Sequence, residues 1–333
     1  MSIMKYILLL MLIIVSAACE MDQLFFATNE RSVIRLNVDW STSRLSPNGA
    51  TVYVFDQKGQ KFEDYLIFNN PNQLDISLPK GSYQLLVFNN THSELNNVEI
   101  INDNSISTFE FRSKEMIPKF SDGYKDVKEK FVSEPDTMAI SFVKDVEITS
   151  EMIQYYPYKP DLNEYKVANE YNLKTKRIIS VADIKVHVLG LKYAAGAPIS
   201  YLRNMSASYL LDKQSISNDI VTHQFILNNR KFDEGSTENG MIRKQLTTFG
   251  LLTENQKNDQ KYYLTMNFVL INGESYPIHL DITNNIKSIQ DIHTIHSIDL
   301  EVSLPEVIGE QQGGAFNPDL EEWEDIEIEF PVK

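Results

Sequence analysis

Short segments in which apolar and polar side chains alternate recur along most of this 333-residue chain. Residues 32–40 are the clearest example, since Ile34, Leu36 and Val38 alternate there with polar side chains. A period of two residues is typical of a β-strand with one buried face. We find no long stretch with the 3.6-residue period of an amphipathic helix. The sequence therefore predicts an all-β fold.

A hairpin signal and a break in regular structure indicate how these segments are organised. Asn272-Gly273, between two apolar runs, is the strongest short-range hairpin signal in the chain. The proline- and tyrosine-rich residues 155–160 interrupt regular structure. Many short strands at regular spacing favour β-sandwiches. We predict an N-terminal sandwich domain at 19–150, a C-terminal one at 151–308, and an acidic strand or tail at 309–333.

The N-terminus carries an export signal. Lys5 precedes the apolar residues 6–15, and the small residues 16–18 lead to Cys19, the only cysteine. The apolar run is shorter than the roughly 20 residues that span a bilayer. We predict a lipoprotein signal peptide at 1–18 and lipidation, with palmitate-type acyl chains, of Cys19. The alternative is a plain signal peptide followed by an incidental cysteine.

The charge of the chain limits its partners. The formal net charge of −15 repels the phosphates of nucleic acids, so we expect no nucleic-acid partner. It also repels anionic lipid, so attachment to the outer membrane would depend on the acyl chains of Cys19. With that thiol acylated, none remains for disulfides or for a cysteine nucleophile.

The sequence contains few patterns that indicate catalysis or metal binding. It has no nucleophile elbow, phosphate loop or His-Glu-x-x-His motif. His293 and His296, with Asp291 nearby, resemble a metal pair, but strand residues three apart face opposite sides, so we expect solvated loop histidines instead. The acidic residues 321–325 lack the glycine and the spacing of a calcium loop. We predict no catalytic residues, no metal, no cofactor and no enzymatic activity.

Two segments suggest contact with carbohydrate in different ways. Asp136-Thr137-Met138 matches a short O-glycosylation motif of Bacteroidetes, which makes Thr137 a candidate glycan acceptor, although so short a motif also arises by chance. Tyr155, Tyr156 and Tyr158 could stack on sugar rings if they are exposed. The alternative for these tyrosines is packing between the two domains.

Several segments together are similar to those of one protein family. They are Cys19 and residues 35–40, 78–90, 135–138, 248–250 and 323–328. They resemble the fimbrillin-like surface lipoproteins of Bacteroidales, especially the fimbrial anchor and accessory branch. Glu20 and Asp22 resemble the surface-export signals of such lipoproteins. Within 78–90, a Pro-x-Gly-x-Tyr strand start ending at Tyr83 occurs in many sandwich domains, where the hydroxyl bonds nearby backbone.

The resemblance implies two tandem transthyretin-like (Greek-key) sandwiches and a place in a fimbria. In such pili, an extended segment of one subunit fills a groove in the sheet of the next. The partners would be other fimbrial subunits and the outer membrane, with a role in adhesion to an unidentified host or glycan ligand. Polymerising subunits are cut after an arginine near the N-terminus, for which Arg31 and Arg44 are the candidates here. An anchor would not need this cut.

The tail from Gly313 to Lys333 is the candidate pairing strand. It follows a glycine-rich link, and apolar side chains at 326, 328 and 330 alternate with acidic ones. The alternatives are the last strand of the second domain and a frayed acidic end.

A different class of function is a surface glycan-binding lipoprotein that works beside a nutrient importer. That function would need a planar cluster of exposed aromatic side chains, and the chain has only two tryptophans, Trp40 and Trp323. A third class, a hydrolase, would need titratable groups that converge in a cleft.

Overall fold

The computed structural model describes residues 30–118, 129–158, 165–252, 261–290 and 294–307. Regular structure in these residues is almost entirely β, as predicted. None of the helices in this part of the chain is long and apolar enough to cross a membrane.

The strands fall into an N-terminal half (β1–β11) and a C-terminal half (β12–β22). The strands of the N-terminal half are β1 (Arg31–Asp39), β2 (Ala50–Asp56), β3 (Leu66–Phe68), β4 (Gln73–Pro79), β5 (Gly81–Asn89), β6 (Val98–Ile101), β7 (Glu110–Ser113), β8 (Phe131–Val132), β9 (Ala139–Ile148), β10 (Val167–Lys174) and β11 (Lys176–Arg177). Those of the C-terminal half are β12 (Ser180–Leu189), β13 (Ile199–Ser206), β14 (Ser208–Leu210), β15 (Ser215–Ile216), β16 (Ile220–Ile226), β17 (Asn229–Phe232), β18 (Gly240–Thr248), β19 (Tyr263–Val269), β20 (Ser275–Asp281), β21 (Ile286–Gln290) and β22 (Thr294–Ser303). The helical elements are α1 (Ser150–Tyr155) and the 3-10 turns Ser41–Ser43, His92–Glu94 and Leu191–Tyr193.

Sheets A and B form the first sandwich. Sheet A has the strand order β10-β1-β4, and sheet B has the order β11-β9-β5-β2-β3. The alternating apolar side chains of β1 point from sheet A into the core between the two sheets. Fully buried core side chains include Ile34, Leu36, Ala50, Val52, Val54, Leu74, Ile76, Leu85 and Val87.

The C-terminal half repeats this arrangement. Sheet D has the order β17-β18-β12-β22-β21, and sheet E has the order β20-β19-β13-β16-β8. In sheet A, β1 lies between parallel β10 and antiparallel β4; in sheet D, β12 lies between parallel β22 and antiparallel β18. Fully buried side chains of the core between D and E include Ala182, Ile184, Val186, Val188, Leu202, Met205, Leu246, Leu264, Met266 and Phe268. The expectation of two β-sandwiches is confirmed.

A third core joins the two halves. Sheet C, with the order β15-β14-β7-β6, combines two strands from each half, and Ser208 to Leu210 pair with Arg112 to Glu110. Sheet C covers the face of sheet B that points away from sheet A, which explains why β2 is buried on both faces. Buried aromatic side chains of this seam core are Tyr53, Phe55, Phe88, Phe109, Phe111, Tyr209 and Phe249.

Residues 167–177 lie in the range predicted for the C-terminal domain, yet they pair with the N-terminal half. Strand β10 pairs with β1, and β11 pairs with β9. Parallel neighbours must be distant in sequence, so no local pattern reveals this pairing. The domain boundary between 150 and 151 stays a prediction.

The predicted tyrosine corner is present at the start of β5. The hydroxyl of Tyr83 donates to the carbonyl oxygen of Pro79 at 3.0 Å. A Cβ atom at Gly81 would lie 2.9 Å from that hydroxyl oxygen, so only glycine leaves room for it. The Pro-x-Gly-x-Tyr pattern is therefore explained by this corner.

Candidate assembly surface

Sheet A has two open edges. Among the described residues, no strand pairs with the outer edge of β10 or with that of β4. In sheet D, the corresponding strands β22 and β18 are covered by β21 and β17. An open edge presents unpaired backbone N–H and C=O groups that can pair with another strand. Sheet A therefore has room for an added strand beside β10 or β4.

The outer strand β10 combines a packed face with a polar one. Its side chains Tyr171 and Leu173 pack on the core of the first sandwich. Glu170, Asn172 and Lys174 are exposed on the opposite face. Charged side chains on an edge disfavour random pairing. An added strand would have to match this alternation.

A polar network fixes the register of sheet A from its outer face. Arg35 donates to both carboxylate oxygens of Asp75, at 2.7 and 2.8 Å, and Tyr165 donates its hydroxyl proton to Asp75 at 2.7 Å. These bonds stabilise the ionised carboxylate and lower the pKa of Asp75, with Arg35 the larger cause. The same contact with Asp75 raises the pKa of Tyr165. The network ties β1 to β4 and to the segment before β10.

The two candidate cleavage residues lie at opposite ends of β1. Arg31 is its first residue and forms a two-fold ion pair with Glu63, at 2.9 and 3.1 Å. Arg44 is exposed in the turn after β1, with a φ of 49° in the left-handed region. A cut after Arg44 would break the covalent link between β1 and β2. Because β1 is the central strand of sheet A, its loss would remove the middle of that sheet.

Of the two predicted modification residues, the structure describes Thr137 and not Cys19. Cys19 lies outside the described residues. Thr137 is half-buried, and its carbonyl oxygen accepts a hydrogen bond from the side chain of Asn89 at 2.9 Å. The carboxylate of Asp136 accepts from the backbone N–H groups of Asn97 and Val98 at 2.8 and 3.1 Å. These bonds give Asp136 a structural role, and glycosylation of Thr137 stays a prediction.

The aromatic residues considered for sugar stacking differ in their exposure and surroundings. Tyr155 and Tyr156 are 67% and 39% exposed beside the first residues of β1. The ring of Tyr158 is tilted by 59° from that of Tyr165, with 6.4 Å between centroids. Trp40 is buried, and its indole N–H donates to the carbonyl oxygen of Pro71 at 2.9 Å. Trp40 therefore presents no face for stacking.

Of the two histidines considered as metal ligands, only His296 lies among the residues that the structure describes. His293 lies outside the described residues, as does the acidic segment 321–325. The expectation of a solvated loop histidine is wrong for His296, which is buried on β22 with its Nδ1 2.9 Å from the hydroxyl of Ser288. The described part of the chain brings no three histidine, cysteine or carboxylate side chains together in a metal-type cluster.

Two solved structures are similar to this fold. A Bacteroides ovatus protein described as a "putative adhesin" gives a TM-score of 0.56 at 17% identity, over 83% of this chain and 94% of that chain. The fimbrial anchor protein Mfa2 from Porphyromonas gingivalis gives a TM-score of 0.46 at 14% identity, over 82% and 90% of the two chains. The first of these comparisons shows a shared fold.

Sequence comparisons identify the family to which the chain belongs. No curated protein sequence matches the chain at a significant level. Residues 18–226 match the profile of the family described as Domain of unknown function (DUF5119). This match covers more than half of the chain, from the residue before the predicted lipidation site to the end of β16. The chain therefore belongs to the DUF5119 family.

Proposed function

We propose that this protein is a fimbrial anchor or accessory subunit, held in the outer membrane by acyl chains on Cys19, that joins its neighbour by β-strand addition and serves adhesion. The observation that carries the proposal is the pair of open edges on sheet A. The equivalent edges of sheet D are covered by strands of this chain. Sharing a fold with the B. ovatus protein described as an adhesin supports the proposal by analogy.

Strand addition supplies both affinity and register. Main-chain hydrogen bonds along an edge bind the incoming strand, and alternate side chains set its position. Tyr171 and Leu173 on β10 contribute to the core, so an added strand with alternating apolar side chains could continue that core. The exposed face of β10 carries Glu170 and Lys174, which favour a partner strand of mixed or complementary charge.

The proposed tether enters the fold through sheet A. Residues 20–30 separate Cys19 from Arg31, the first residue of β1. The open edges of sheet A therefore lie on the strands that flank the tethered strand. An anchor needs β1 to remain attached to its lipid. The ion pair of Arg31 with Glu63 is in accord with an uncut chain, since it engages that side chain directly.

Removal of residues 313–333 tests the assembly part of the proposal. We expect the truncated protein to fold normally and to assemble weakly, because the alternating tail is the candidate donor strand. A sharper variant replaces Ile326, Ile328 and Phe330 by serine, which removes the apolar alternation and keeps the length. The matched control, Glu327→Gln with Glu329→Gln, keeps the alternation and should assemble normally. Circular dichroism checks the fold, and wild-type fibre yield from the serine variant would refute donor use of the tail.

The described residues give less support to the alternative of a glycan-binding lipoprotein. Tyr155 and Tyr156 are exposed, but Trp40 is buried and the rings of Tyr158 and Tyr165 are inclined to each other. The buried Trp40 is therefore not part of a stacking platform.

A further inference from the structure

In each half, the first strand has a parallel neighbour that lies at or near the end of that half. In the N-terminal half, the first strand β1 pairs with β10 from Val33–Val167 to Asp39–Lys174. In the C-terminal half, the first strand β12 pairs with the last long strand β22 from Val181–Ile295 to Leu189–Ser303. Both halves therefore place their first strand beside a late strand that runs in the same direction.

This arrangement determines how a pulling force acts on the fold. A force on the chain ends pulls β1 from its first residue, Arg31, and pulls β10 from its last residue, Lys174. Since the two strands are parallel, these residues lie at opposite ends of the pair. The strands are then pulled past each other along their axes. All the ladder hydrogen bonds are loaded together, instead of one after another from one end.

We infer that each half is a shear clamp, in which the parallel pairs β1–β10 and β12–β22 carry tension along the chain. The biological use of such a clamp rests on the proposed function, because only a subunit tethered near β1 and linked to a fibre is pulled in this way. The clamp itself is a property of the topology. It can therefore be tested without any fimbria.

A group of hydrogen bonds at the buried Thr175, which we call the latch, holds the N-terminal clamp together at the end where the chain leaves β10. Thr175, directly after β10, is 4% exposed. Its hydroxyl donates to the carbonyl oxygen of Asp39 at 3.1 Å and lies 2.8 Å from the hydroxyl of Ser43. Its carbonyl oxygen accepts a hydrogen bond from Thr42 at 2.8 Å, and its backbone N–H donates to the hydroxyl of Thr42 at 3.1 Å. These bonds join the segments that follow β1 and β10, at the end of the pair from which β10 is pulled.

Side chains along the clamp add resistance to sliding. Asn37 on β1 donates to the carboxylate of Glu170 at 3.0 Å and to the side-chain oxygen of Asn172 at 3.3 Å, both on β10. On the other face, Ile34 and Leu36 are fully buried in the core. Sliding of β1 would therefore break polar links on one face and expose apolar side chains on the other.

Single-molecule pulling in two directions tests the clamp. Both samples use the full chain with Cys19→Ser, and handles are attached to Glu30→Cys with Glu306→Cys, or to Glu30→Cys with Lys80→Cys. The second pair pulls apart the register partners Arg31 and Pro79 at one end of antiparallel β1 and β4, which unzips them. We expect a rupture force several-fold higher in the first geometry. Equal forces in the two geometries would overturn the inference.

A pair of threonine variants separates a mechanical role from ordinary stability. Thr175→Val removes the latch bonds of the hydroxyl, and Thr51→Val removes the hydrogen bond that another buried threonine, outside the clamp, donates to the carbonyl oxygen of Asn90. We expect both variants to lose similar thermal stability, whereas only Thr175→Val lowers the end-to-end rupture force. Equal rupture forces for the two variants would contradict the latch. If Thr175→Val does not fold, the comparison of the two geometries still decides the inference.

Discussion

Replacement of Phe109 by alanine is expected to lower the free energy of unfolding by about 3 to 5 kcal/mol, the usual cost of removing a buried phenylalanine. Phe109 is 1% exposed at the centre of the seam core. Its ring lies 5.1 Å from those of Tyr53 and Phe111 and 6.0 Å from that of Phe55, in edge-to-face contacts. The cavity left behind would be lined by rings that cannot collapse into it without losing these contacts.

The same variant should weaken both halves, because the seam core contains side chains from each. Urea unfolding gives the loss of free energy, and hydrogen exchange in β5 and β12 shows whether protection falls in both sandwiches. Phe62→Ala is the control, since Phe62 is 38% exposed and should cost far less. A loss below about 1 kcal/mol, or a loss of protection confined to β5, would contradict a shared core.

Acid is expected to destabilise the protein through two buried histidines. His223 is fully buried on β16, and neither of its ring nitrogens has a hydrogen-bond partner among the described residues; burial lowers its pKa to about 4. Burial also lowers the pKa of His296 to about 4. Well above their ordinary pKa of 6.5, both residues are neutral whether folded or unfolded. As the pH falls from 6.5 towards 4, only the unfolded chain binds these protons, so stability falls with the pH.

The expected loss is about 2 kcal/mol for each histidine by pH 5, and it levels off below pH 4. Urea unfolding between pH 7 and pH 5 measures it. His223→Leu should flatten the pH dependence by that amount, because leucine cannot be protonated. Phe225→Leu, two residues along β16, changes a buried ring that does not titrate and should leave the pH dependence unchanged. The same slope in His223→Leu and the parent protein would contradict a buried neutral imidazole.

Local patterns predict the strands well where one face is buried. The alternation of β1 and the corner at Tyr83 could both be read from residues close in sequence, and the structure confirms them. The pairing of β1 with β10 could not, because Asn37 and Asn172 meet across more than a hundred intervening residues. Sheet C could not be predicted for the same reason, because its strands β7 and β14 pair although they are far apart in sequence. Long-range pairing depends on the packing of the whole chain, which short periodicities do not encode.

The candidate assembly surface was only partly predictable. Motif chemistry predicts Cys19 as a candidate lipidation residue, and alternation predicts residues 313–333 as a candidate strand. An open edge is different, since it depends on which strands remain without a neighbour after folding. The outer edges of sheet A are open and the equivalent strands of sheet D are covered, and this difference depends on the pairing of every strand in both sheets.

The most direct test of the proposed function is a pull-down of the tagged protein from detergent-solubilised outer membranes, with the eluate run unboiled on a denaturing gel. Polymers joined by strand addition resist detergent, so the proposal predicts a ladder of high-mass species that contain other sandwich subunits and collapse on boiling. Boiled samples of the same eluate are the control. Recovery of a lone monomer in both lanes would contradict the account.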